Sequence, residues 1–281
     1  MIIEIMIGVG AAILSAYLPL KFRNRLKVVS LKKGQTARIN KFIDLYIERI
    51  PENQRVPPDH IIKFLNSEKN AASLREFRKK VALGYDTVHF LLLATSGWEV
   101  MGFTKVIYVK SISCLFVAYI AVSNHGSAYE QHVVSKLLAE IVQYAKAPKS
   151  INSLMFEIVI NDNTREHVAK EKRFRHYARA KNYKLKKIAA KYYQPEVCSF
   201  DTGECGMEAA NLFLLHLGAD DGSMEFSRPS YENLIRSLYT FIYMESFRQA
   251  DYQLADDYQK FLENIIQRTM SEQIGEKISV I

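Results

Sequence analysis

VHFLLLAT (Val88–Thr95), VMGFTKVIYV (Val100–Val109) and CLFVAYIAV (Cys114–Val122) follow one another with only Ser96-Gly97 and Ser111-Ile112-Ser113 as turn material between them. The runs are short and rich in β-branched and aromatic residues, which predicts three strands of an antiparallel meander. Downstream, Tyr129 to Lys146 carries Val133, Val134, Leu137, Leu138, Ile141 and Val142 at helical spacing, the stripe of a helix packed on a sheet. A helix after the third meander strand must cross over to another strand. Leu154–Ile160 (LMFEIVI) is that strand, and a helix-linked return predicts a parallel neighbour in the same sheet. Thr164 can cap a further helix over Arg165–Lys181, and Tyr183–Tyr193 and Ala210–Leu217 read as two more strands. The expected class is α/β, with a mixed sheet flanked by helices.

Upstream, Leu26–Leu31 (LKVVSL) reads as a first strand. Thr36–Ile50 and Pro58–Leu65 are amphipathic segments punctuated by Pro51, Pro57 and Pro58. After the core, 218–229 reads as a loop. Ser230 can cap a helix with an apolar face of Leu234, Ile235, Leu238 and Ile242, and another helix is expected over Tyr252–Met270.

This order resembles the GNAT superfamily of acyltransferases, and the likeness covers roughly half the chain. Glu99-Val100-Met101-Gly102-Phe103 is similar to the family's third-strand opening. His176 to Tyr183 is similar to its fourth helix running into the sixth strand, and Tyr192-Tyr193-Gln194-Pro195 to an aromatic-Gln-Pro strand ending. The resemblance implies a sheet splayed between its fourth and fifth strands to admit acetyl-coenzyme A or another acyl-coenzyme A, with no metal. It also implies that Tyr177 is the acid for the departing thiolate, and that Ala121 and Val122 offer backbone N–H groups to the thioester carbonyl.

The phosphate loop departs from the family. Small residues there let backbone N–H groups close around a pyrophosphate at a helix N-terminus. Counting back from Leu137-Leu138 instead places Tyr129 where the family has Arg or Gln, and His132 and Val134 where it has its two small residues. Gly126-Ser127-Ala128 is small but falls early, so it serves only if the helix begins sooner than its apolar stripe. His125 or His132 can add a donor.

Glu157 interrupts an otherwise apolar strand. A carboxylate there must be paired, solvated or raised in pKa, which makes it the candidate base. Glu99, beside Trp98 in a turn, is a weaker candidate, and ordinary solvation accounts for it.

The net charge is +8, and much of it falls on Arg165, Lys170, Lys172, Arg173, Arg175, Arg179, Lys181, Lys184, Lys186 and Lys187. Such a run attracts an anion or is a solvated helix face. No nucleic-acid-binding motif accompanies it, so nucleic acid ranks low as a partner. Three cysteines, Cys114, Cys198 and Cys205, fit no common zinc spacing and read as thiols of a reducing compartment. Ile2–Leu20 is apolar apart from Glu4 and is followed by Lys21, Arg23, Arg25 and Lys27. That pattern reads as a single-pass anchor with the remainder on the cytoplasmic side, the alternative being a hydrophobic helix docked on a soluble cytoplasmic protein.

The chain therefore divides into an N-terminal hydrophobic helix (1–25), a GNAT-like domain (26–217) and a helical C-terminal extension (218–281) suited to core packing or to a homo-oligomer contact. The expected function is N-acyl transfer from acyl-coenzyme A to an amine whose identity no motif names. Two rivals on the same scaffold are a catalytically inactive binding or assembly module and an acyl-carrier-protein-dependent synthase.

Overall fold

A computed structural model describes residues 26–124, 127–148, 151, 153–160, 164–197, 205–217, 225–245, 248, 255–273 and 275–281. The hydrophobic helix expected at the N-terminus lies outside them. Among the described residues, no helix is long and apolar enough to cross a membrane.

The meander forms as expected. β1 (Leu26–Ser30), β2 (Thr87–Ser96), β3 (Glu99–Val109) and β4 (Cys114–Val122) pair antiparallel in sequence order. Gly97, at φ +63°, supplies the left-handed residue that the tight β2–β3 turn requires. Helix α1 (Thr36–Arg49), helix α2 (Pro58–Leu65) and helix α3 (Leu74–Ala82) fill the connection from β1 to β2. The sequence reading passed over α3, whose signal is a capping box: Ser73 accepts from the Glu76 N–H while Glu76 reaches back to the Ala72 N–H.

The crossover also forms. Helix α4 (Ser127–Lys146) leads to β5 (Ser153–Val159), which runs parallel to β4. Helix α5 (Thr164–Ala180) then leads to β6 (Lys184–Lys187) and β7 (Tyr192–Pro195), two short strands where one long strand was expected. Both lie antiparallel to β8 (Met207–His216), which pairs β5 on its other side. The resulting order is β1-β2-β3-β4-β5-β8-β6, with β7 also on β8.

Helix α6 (Arg228–Leu238) continues through a π-helical stretch, Tyr239–Met244, and helix α7 (Ala255–Ser271) packs beside it. The cap of α6 is Ser227, which accepts from the Ser230 N–H, and not Ser230 itself; Pro229 occupies the first turn, where its missing N–H costs nothing. A small pair, β9 (Glu225–Ser227) with β10 (Lys277–Ser279), ties the chain's end to the start of α6.

Two cores result, one on each face of the sheet. Helices α3, α4 and α5 cover one, with Phe90, Phe156, Leu137 and Phe213 at its centre. Helices α1, α2, α6 and α7 cover the other, with Phe42, Tyr46, Phe103, Tyr231 and Tyr258. The C-terminal extension is thus part of a core. Gly102 fixes how closely α4 approaches: a Cβ there would lie 2.7 Å from Val133 Cγ1. Cys114 is a buried free thiol, pushed up to about 12 by burial. Cys205 is disulfide-bonded, which corrects the expectation of three thiols.

Candidate functional site

β4 and β5 pair only through Leu115 with Leu154 and Phe116 with Met155. Beyond those positions the strands part, and the opening is a cavity of about 510 Å³. Val117 to Val122 line one wall and Glu157 to Val159 the other. β4 bulges where it starts to part. Lys105 is paired with Tyr119 and Val106 with Val117, which leaves Ala118 as the extra residue. The Ser123 N–H bonds to the Met101 carbonyl at 3.0 Å. Ladder alternation from that point turns the Ala121 N–H toward β3 and the Val122 and Ile120 N–H groups toward the opening. Of the two donors expected, Val122 therefore faces the cleft, and Ile120 joins it.

Glu157 is the acidic group in the floor. Alternation along β5 sends Leu154, Phe156 and Ile158 to one core and Met155 and Glu157 to the other face. Both carboxylate oxygens are engaged: Tyr192 donates to Oε2 at 2.6 Å, and Tyr243 donates to Oε1. Burial pushes its pKa up to about 7, against the two tyrosine bonds, which favour the charged form. A carboxylate with about four acceptor sites keeps capacity for a proton beside those two bonds.

Cations gather at the mouth. Arg49 from α1 and Lys170 and Arg173 from α5 line it, with Arg173 bonded to Glu130 of α4 at 2.8 Å. Part of the basic run read from the sequence thus faces the cleft. A ring stack fixes α5 there: Phe156 sits 3.9 Å from Phe174 and 5.5 Å from Phe213, centroid to centroid.

The other expected residues are distributed as follows. Helix α4 starts at Ser127, two residues before the expected start at Tyr129, so Ser127 and Ala128 lie in its first turn; Gly126 lies outside the described residues. Val134 lines the cleft, whereas His132, one turn into the helix, is not among its lining residues. Tyr177 is buried in the core of α4 and α5, 6.3 Å from the Tyr183 ring, and is likewise not among the residues lining the cleft. Its place on the helix follows from the stripe it shares with Phe174 and Ala178. Glu99 is exposed and paired with Lys41.

Tyr192, Tyr243 and Lys105 were not singled out from the sequence as site residues. Tyr192 stands in the quoted Tyr-Tyr-Gln-Pro run, and its pairing with Glu157 depends on β7 meeting β8 beside β5. A larger groove of about 670 Å³ lies at the opposite end of the sheet, lined by Ile112, Met155, Leu234 and Phe241. Its one cation, Arg236, is already held by Glu232 and Glu263, so the groove offers no comparable acid–base group.

A meander, a helical crossover to a parallel strand and a splay at a bulged fourth strand define the GNAT fold, and the chain has that fold. A structure described as a GNAT-family acetyltransferase from Bacteroides thetaiotaomicron superposes with a TM-score of 0.51 and 14% identity, over 77% of this chain and 98% of that one. A Staphylococcus epidermidis protein described as an acetyltransferase gives 0.43 and 14%, over 69% and 99% of the respective chains. A Bacillus subtilis acetyltransferase in complex with CoA gives 0.38 and 12%, over 69% and 100%. At these identities the likeness is one of fold. The sequence itself matches no family model and no curated protein.

Proposed function

We propose that the chain transfers an acyl group from a coenzyme A thioester to an amine, with Glu157 as general base. The observation that carries this reading is Glu157 itself: a carboxylate in the floor of the splay, with a pKa near neutrality and both oxygens held in place. The acceptor enters as an ammonium or amine and gives up a proton to Glu157. Its nitrogen attacks the thioester carbonyl as the C–S bond breaks, while N–H groups of the parted β4 edge stabilise the oxyanion. The thiolate leaves with the electron pair of the C–S bond and takes up, directly or through solvent, the second proton shed by the acylated nitrogen, while the proton held on Glu157 returns to solvent. Arg49, Lys170 and Arg173 are placed to meet the cofactor's phosphates.

Titration calorimetry with acetyl-coenzyme A tests the reading. Saturable binding that weakens for the analogue lacking the 3′-phosphate supports it, and absence of binding by folded protein refutes it. With an acceptor in hand, Glu157→Gln should lower kcat by about 100-fold or more. The rate of the unmodified chain should rise with pH and level off above about 7, because only the ionised carboxylate accepts a proton. Unchanged turnover in Glu157→Gln would remove that residue from the mechanism.

Tyr129 at the position of the loop's Arg or Gln, with His132 and Val134 at those of its two small residues, favours the rival in which the fold serves binding or assembly alone. The same titration separates the two readings. Binding of an acidic carrier protein, with none of acetyl-coenzyme A, would instead point to the carrier-dependent synthase.

A further inference from the structure

Lys105 is the one buried lysine or arginine among the described residues. It projects from β3 to the same face of the sheet as Glu157, with β4 between the two strands. Among the described residues no hydrogen bond or ion pair reaches its ammonium. That group lies 4.7 Å from the Phe64 ring centre and 5.9 Å from that of Tyr119. Glu245 is the carboxylate whose field reaches it, and Glu245 is already bonded to Lys69 at 2.7 Å. Two ammonium groups thus share one carboxylate. His89, packed on Phe64, adds no second positive charge beside it: burial holds the imidazole neutral.

The partly compensated cation faces a cavity. Lys105 lines a cavity of about 30 Å³ that reaches Glu157 and Tyr243. Gln54, Ala118, Tyr119, Glu157 and Gln194 line both this cavity and the cleft, so the two spaces meet at Tyr119 and Glu157. The cavity is large enough to admit a small polar group such as a carboxylate beside the ammonium.

We propose that the acceptor is an aminocarboxylate, whose amine meets Glu157 while its carboxylate enters the small cavity and pairs with Lys105. The amine half rests on the acyl-transfer reading; the carboxylate half rests on Lys105 and the cavity alone. A largely buried ammonium whose nearest carboxylate is already bonded to another lysine is only partly compensated, and an incoming carboxylate supplies further negative charge together with hydrogen bonds to the ammonium. Amines that lack the carboxylate leave Lys105 unpaired and are discriminated against on that ground.

The test is calorimetric titration of the full chain with glycine, β-alanine, 4-aminobutyrate and 5-aminopentanoate, each against the same amine without its carboxylate. At least one aminocarboxylate should bind tenfold or more tightly than its partner amine. Lys105→Met and Lys105→Gln should each abolish that preference, with acetyl-coenzyme A affinity unchanged in both. Equal binding of each pair, a preference that survives in both variants, or no aminocarboxylate binding at all overturns the proposal. Failure of the acyl-transfer reading shows separately, as loss of acetyl-coenzyme A binding in the unmodified chain, while the aminocarboxylate titrations remain interpretable.

Discussion

The two faces of one sheet differ in kind. Along β5, Leu154, Phe156 and Ile158 enter a core whose buried members are almost all hydrocarbon, while Met155 and Glu157 enter one that holds a carboxylate, an ammonium and a group of buried tyrosines. The hydrocarbon face is closed by α3, which leads directly into β2, and by α4 and α5, which directly follow β4 and β5. Closing the polar face takes α6, its π-helical stretch and α7, which come from the chain's last quarter. Both faces thus carry a large apolar core, but the ionisable groups are gathered on one of them. The polar groups are tolerated because the late helices bring partners: Tyr243 to Glu157, Glu245 to Lys69, and Tyr258 to the Glu196 carbonyl.

If that division is right, truncation on the hydrocarbon face should cost the most. Phe156→Ala empties the space between Phe174 and Phe213 and should destabilise the fold by about 3–5 kcal/mol, read from denaturant unfolding. A loss below about 1 kcal/mol would mean that the stack is not holding α5 to the sheet. On the polar face the sign reverses with pH. The Glu157 carboxyl ionises near 4.5 when unfolded and at about 7 when folded. Between those values the unfolded chain holds fewer protons, so stability falls as pH rises from about 4.5 to 7 and is level above. Glu157→Gln lacks this titration and should gain about 3 kcal/mol on the unmodified chain between pH 5 and pH 8. Parallel stability curves for the two proteins would show that Glu157 is not buried as a costly charge.

The same contrast explains what could be read in advance. Strands β2 to β5 and helix α4 announce themselves through local alternation and the Val133–Val142 stripe, which depend on neighbours in sequence. Glu157 was legible for the opposite reason, as a charge that breaks the pattern of its own strand. Tyr192 and Tyr243 carry no such mark. A tyrosine in an apolar run looks like core, and its hydroxyl's partner lies 35 or 86 positions away. Lys105 sits in the run VMGFTKVIYV and could have been flagged by the rule that singled out Glu157. Tyr177 was assigned by family position, yet the helical stripe it shares with Phe174 and Ala178 carries it into the hydrocarbon core. The early start of α4 was hidden because Ser127 and Ala128 add nothing to an apolar stripe.

The smallest effect is the most discriminating. Tyr243 reaches Glu157 only because the chain after Leu238 widens into a π-helical turn, a geometry that often marks a functional position. Tyr243→Phe keeps the ring and removes one hydroxyl donor from the carboxylate, which should cost about 1–3 kcal/mol at pH 8, where Glu157 is charged, and less at pH 5. The Tyr243 bond lowers the Glu157 pKa, so its loss should raise that value further and move the rising limb of a pH–rate profile to higher pH. A stability cost equal at both pH values, with no movement of the limb, would mean that the C-terminal extension merely covers the polar face and does not tune it.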